Sequence, residues 1–140
     1  MVSNSASTGS RRNAVRFDLR NDMEMDRLQF KSVEKIMDGR MLLIDIENNG
    51  CKMRLINVYG PTDLQERVFL LQTLQPYICS GRHIIIGGDF NCNLEKRMGI
   101  TTAGLANKID LSSHVLGNLI NDFKLIDVFK TLHPEETGFT

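Results

Sequence analysis

The chain has 140 residues, 41% of them hydrophobic, and balances 17 Lys and Arg against 17 Asp and Glu. That length suits one domain, the apolar fraction excludes wholesale disorder, and zero net charge excludes a global basic footprint for nucleic acid. A local basic rim stays open. The three cysteines, Cys51, Cys79 and Cys92, have no zinc-ligand spacing and read as reduced thiols of an intracellular protein, nuclear or cytoplasmic. His83, His114 and His133 are scattered and form no metal motif. No apolar run reaches transmembrane length, and the N-terminus has no apolar stretch of the kind a secretory signal needs.

In chain order, residues 1–14 are Ser-rich, polar and without periodicity, and read as a disordered tail. Residues 15–27 are dense in charge and fit either a strand or a frayed helix. Patterned sequence starts at Leu28. Apolar runs flank Asp38-Gly39, a pair that signals a hairpin, and "NNGC" marks a second turn. After it "KMRLINVYG" alternates, with Met53, Leu55, Asn57 and Tyr59 on one face and Arg54, Ile56 and Val58 on the other. Strands joined by tight turns make an antiparallel meander.

Gly60-Pro61 ends that strand. Thr62 or Asp63 caps a helix whose apolar stripe is Leu64, Val68, Leu71, Leu74 or Gln75, and Ile78, ending or kinking near Gln75 because of Pro76. "HIIIG" follows as a short apolar run, suited to a central buried strand and parallel to the strand at 53–59 through the helical crossover. Residues 92–110 carry no regular pattern and read as a long loop with Lys96, Arg97 and Lys108. Asp110 or Ser112 starts a second helix, with Val115, Leu116, Leu119, Ile120 and Phe123 as its stripe. "LIDVFKTLHPEETGFT" closes the chain with a short element and a His-Pro turn.

The chemistry concentrates where "HIIIGGDFN" ends. Ligand sites of open α/β sheets lie at the carboxyl ends of parallel strands. Asp89 and Asn91, one residue apart on an extended chain, point the same way and reach one ligand. Gly87 and Gly88 remove bulk before them, and Tyr59 ends the neighbouring strand. An aspartate there can take a proton from water or help hold a hard cation. Against this stands a plainer reading, because Gly, Asp and Asn are also turn formers.

The order of motifs adds a resemblance. "NVYGP", a helix containing "RVFLLQTL", then "HIIIGGDFN" and "LIDVFKTLHPEETGFT" resemble the middle of an endonuclease/exonuclease/phosphatase domain. More narrowly, the series is similar to the apurinic-type endonuclease domain of LINE-type (non-LTR) retrotransposons, over about residues 28–140. The resemblance implies an α/β fold, an incomplete two-sheet sandwich, and Mg²⁺- or Mn²⁺-dependent hydrolysis of a phosphodiester that nicks one DNA strand. It implies that Asp89 orients and deprotonates water and offers a weak metal ligand. Asn91 would hold that water or a phosphate oxygen, and Tyr59 would stabilise charge on the phosphate. Thr140 matches a threonine that lies near the DNA-contacting rim of such domains, and Lys96, Arg97 and Lys108 read either as contacts for the DNA backbone or as a solvated loop. The family also carries an upstream Glu and a downstream Asp-His pair that have no counterpart in this sequence. The expectation is therefore a remnant or fragment of a nuclease, weak or inactive alone, with self-association through exposed sheet surface. The alternatives are a non-catalytic module that binds nucleic acid or protein, and a phosphatase-like hydrolase of the same superfamily.

Overall fold

The computed structural model describes residues 29–92, 94 and 110–134, and, as backbone only, residues 2–6, 13–17 and 28. In chain order the elements are β1 (Val2–Ala6), β2 (Asn13–Phe17), β3 (Leu28–Ile36), β4 (Met41–Asn48), β5 (Cys51–Tyr59), α1 (Leu64–Ile78), β6 (His83–Asp89), α2 (Leu111–Asp122) and α3 (Val128–Leu132). β1 and β2 pair antiparallel, where the sequence reading has a tail and an undecided segment. The main sheet has the order β3-β4-β5-β6. It is mixed: β3, β4 and β5 form the antiparallel meander, and β6 lies parallel to β5. The α/β class and the parallel crossover expected from the sequence both hold.

Turn chemistry sets the meander's register. Asp38 and Gly39 have φ of 51° and 84°, the left-handed pair a type I′ turn requires, closed by the Arg40 N–H on the Met37 carbonyl at 3.0 Å. Asn49 and Gly50, with φ of 50° and 80°, do the same between Asn48 and Cys51. These turns lock Leu43, Ile56 and their neighbours onto one face and Leu42, Ile44 and Leu55 onto the other.

Helices α1 and α2 cover the first face. Met41, Leu43, Ile56 and Val58 meet Leu70, Leu71, Leu74, Ile78, Leu116 and Leu119 in one buried cluster. The second face holds Leu42, Ile44, Ile46 and Leu55, all buried, and β2 lies against β5.

Three sequence expectations are corrected. The stripe of α1 is rotated: Leu64 is exposed, and Arg67 and Leu70 take the buried positions. Arg67 tolerates burial because its donors find acceptors at the helix start. Pro76 lies inside α1 without ending it, since the helix runs to Ile78 and the absent N–H falls only in its last turn. β6 is an edge strand among the described residues, not a central one: Ile84 and Ile86 pack under the helices, but Ile85 is 57% exposed on the second face. A continuous apolar run cannot by itself distinguish burial on one face from burial on two.

Candidate active site

The pairing of β5 with β6 builds the site. Met53 lies opposite His83, and the register runs without a break to Asn57–Gly87, Val58–Gly88 and Tyr59–Asp89. Registered neighbours project to the same side of a sheet. Tyr59, Asn57, Asp89 and Gly87 therefore share the second face, at the carboxyl ends of two parallel strands. Tyr59 packs its ring beside the buried apolar cluster of that face, and Asp89 is exposed.

Two glycines allow the strands to meet there. At Gly88, φ is 129°, and a Cβ would collide with the Val58 carbonyl oxygen. At Gly60 a Cβ would collide with the Phe90 carbonyl. Only because both lack a side chain can the chain at 88–91 close on the end of β5. The Gly60 N–H donates to the Asp89 carbonyl at 2.6 Å, and the Asn91 Nδ2 donates to the Gly60 carbonyl at 2.6 Å.

Asn91 does not follow Asp89 on an extended strand, as the sequence reading assumed. It adopts a left-handed φ of 50°, and its N–H donates to Asp89 Oδ1 at 2.9 Å. This is a side-chain-closed turn, as Asp and Asn commonly make. The plainer reading and the functional one thus describe the same residues: the turn occupies Oδ1 of Asp89 and one amide hydrogen of Asn91, and leaves Oδ2 at an exposed position.

Pattern reasoning passed over several charged residues nearby. Arg40 closes the first hairpin, its carbonyl accepts the Tyr59 N–H at 2.8 Å, and its guanidinium carbon stands 5.3 Å from the centre of the Tyr59 ring, a cation–π contact. Behind the strand end lies a buried polar cluster. Arg67 Nε donates to Ser112 Oγ at 2.8 Å, Nη1 donates to the Pro61 and Thr62 carbonyls at 3.0 Å each, and Nη2 lies 3.7 Å from Asp110 Oδ1. Asp110 caps α2, accepting the Ser112 N–H at 3.0 Å and its hydroxyl at 2.6 Å. Burial pushes the Asp110 carboxyl up, but the Ser112 bonds and the Arg67 charge outweigh it and hold the group below its ordinary value. Burial pushes the Cys92 thiol up to about 11. The one available signal for Arg67 was its spacing, four residues before Leu71 on the buried stripe.

A second ion cluster pins the far end of β5. Arg54 Nε and Nη2 donate to the two oxygens of Asp45 at 2.7 and 2.8 Å, and Nη1 donates to the Tyr77 carbonyl in the last turn of α1 at 3.2 Å. Arg82 Nε is 3.1 Å from Asp45. The Arg54 hydrogen bond, working against burial, holds the Asp45 carboxyl below its ordinary value. Asp45 alternates with Ile44 and Ile46 onto the opposite face and is buried there, beside an Arg54 that bonds the last turn of α1.

Among the described residues no three His, Cys, Asp or Glu side chains converge, so Asp89 would offer a divalent cation one carboxylate, and water and substrate phosphate would have to supply most of its remaining oxygens. Lys96, Arg97, Lys108 and Thr140 lie outside the described residues.

No protein-family model matches the chain. It is 37% identical over 112 residues to the transposon TX1 uncharacterized 149 kDa protein of Xenopus laevis, a match that covers 78% of this chain and 8% of that protein. The chain is related to a transposon protein. The kinship with a mobile-element protein read from the ordered motifs thereby holds, and the chain spans less than a tenth of its transposon relative. A crystal structure of humanized D. rerio TDP2 carrying 14 mutations is 22% identical, with a TM-score of 0.42, over 49% of this chain and 33% of that one. No helix among the described residues is long and apolar enough to cross a membrane.

Proposed function

We propose that this segment belongs to a phosphodiester-cleaving domain of a transposable element, acting on DNA by nicking one strand. The observation that carries the reading is the registered pairing of Tyr59 with Asp89 at the carboxyl ends of parallel β5 and β6, in a chain related to a transposon protein over most of its length. A phosphate seated over this end would have the Asp89 carboxylate available to accept a proton from an attacking water. The Asn91 carboxamide, anchored by Gly60, would hold that water or a phosphate oxygen. The Tyr59 hydroxyl would stabilise the charge that develops on the phosphate, with Arg40 adding positive charge beside it.

The site works poorly alone. Removing one group that stabilises a developing charge typically costs about 10²–10³ in rate, and among the described residues no three His, Cys, Asp or Glu side chains gather to share that work. A second reading, a module that binds nucleic acid without cleaving it, is favoured by the structural use of Asp89 and Asn91 in their own turn. Nicking of supercoiled plasmid in Mg²⁺ and in Mn²⁺, beside Asp89→Ala, separates the two. Slow nicking that disappears in the variant supports the enzyme. Equal traces from both, in proteins that melt cooperatively and retain DNA in a filter assay, would leave the binding module.

A further inference from the structure

Among the clusters that the proposed chemistry does not use, the one built on Arg67 reaches furthest. The residue is 8% exposed, and its guanidinium contacts lead to the turn after the strand end and to the start of α2. The carbonyls it holds, Pro61 and Thr62, follow directly on Gly60. Gly60 in turn clasps the 89–91 turn from both sides, through its N–H and its carbonyl. On the other flank Cys92, next to Asn91, is half-buried and sits within reach of the Ser112 hydroxyl and the Arg67 charge. The route is therefore short and continuous: Asp110 and Ser112 fix Arg67, Arg67 fixes the 61–62 carbonyls, and Gly60 fixes Asn91.

We propose that Arg67 is the positioning residue of the strand-end site, holding the Gly60–Thr62 turn so that Asn91 and Asp89 keep their placement. The inference deepens the nuclease reading and takes its chemistry from it, whereas its geometry stands apart. Arginine suits the task because its planar fork supplies several fixed donors at once. Lysine has one nitrogen and cannot reach Ser112 and both carbonyls together. A methionine of similar volume would fill the space and leave the buried Pro61 carbonyl, the Thr62 carbonyl and the Ser112 hydroxyl without this donor.

The experiment is amide spectroscopy of the full ¹⁵N-labelled chain, following the Asn91 side-chain NH₂ pair. In the parent chain one of its protons is held by the Gly60 carbonyl and should exchange slowly. Arg67→Met should move that pair to the position of a free carboxamide and speed its exchange by about tenfold or more. Arg67→Lys should fall between. Leu119→Ala, which loosens the same helical layer outside the cluster, should leave the pair in place. Unchanged Asn91 signals in folded Arg67→Met would overturn the inference, as would an equal displacement by Leu119→Ala. If Arg67→Met does not fold, Ser112→Ala gives the reading. It removes the Nε acceptor together with the hydroxyl bond to Asp110, keeps the two carbonyl bonds of Arg67, and should produce the same displacement at smaller size; its failure to do so overturns the inference equally. Nicking is the separate arm. Release of Asn91 in a chain that never nicks DNA keeps the coupling and removes the nuclease reading. In a chain that nicks, Arg67→Met should lower kcat with KM unchanged.

Discussion

Tyr59 and Asp89 lie opposite each other in the register of two parallel strands, and the residue before each, Val58 and Gly88, brings the backbones so close that no side chain fits at position 88. The placement of the candidate site therefore depends on a glycine that takes no part in its chemistry.

Gly88→Ala should destabilise the fold by on the order of 3 kcal/mol, because the substitution combines a left-handed φ of 129° with a collision against the Val58 carbonyl. Urea unfolding measures it. Gly87→Ala, where a Cβ would meet nothing within 4 Å, is the control and should fall within about 1 kcal/mol of the parent.

The Asp45–Arg54 pair should prove costly to break and cheap to replace. Asp45→Leu alone leaves the Arg54 guanidinium without its carboxylate, Arg54→Met alone leaves buried Asp45 with only Arg82 beside it among the described residues, and each should cost about 3 kcal/mol. The double change Asp45→Leu with Arg54→Met should cost less than either single one, since the desolvation of both charges is removed together. Denaturation midpoints of the four proteins form the cycle.

Acid should weaken the protein through Asp45 and Asp110. Both carboxyls are held below their ordinary value in the fold, so the unfolded chain takes up protons first as pH falls. Their contribution is whole above the ordinary carboxylate value of about 3.9 and is lost as pH drops through the folded values. Thermal midpoints measured from neutral pH downward should fall in that window, and Asp45→Asn should flatten the slope.

Cys92 should resist alkylation while Cys51 and Cys79 react. The latter two are exposed, and burial pushes the Cys92 thiol up to about 11, which leaves little thiolate at mildly basic pH. Iodoacetamide labelling with mass mapping should modify Cys92 only after unfolding. Rapid labelling of Cys92 in the folded chain would contradict the burial of the cluster behind the site.

The meander was legible in the residues because its signals are local. Asp38-Gly39 and Asn49-Gly50 fix their turns by backbone sterics alone, and alternation in 53–59 assigns the faces of β5 correctly. The Asp63 cap of α1 and the Asp110 cap of α2 are likewise short-range hydrogen bonds that a sequence can announce. The rotation of α1 was not legible. A pattern counts apolar residues, and it cannot know that the Pro61 and Thr62 carbonyls and Ser112 would gather to receive Arg67.

The sequence by itself determined the element order from β3 onward, the parallel crossover and the strand end that carries Tyr59, Asp89 and Asn91, because periodicity, turn residues and caps act over a few positions. Only the tertiary structure decided that Asn91 turns back to bond Gly60, that Asp45 is buried, that β6 stands at the edge among the described residues and that buried Arg67 bonds the Pro61 and Thr62 carbonyls. Each of those depends on partners distant in the chain, and the burial or exposure of a polar group is set by the acceptors that packing brings to it.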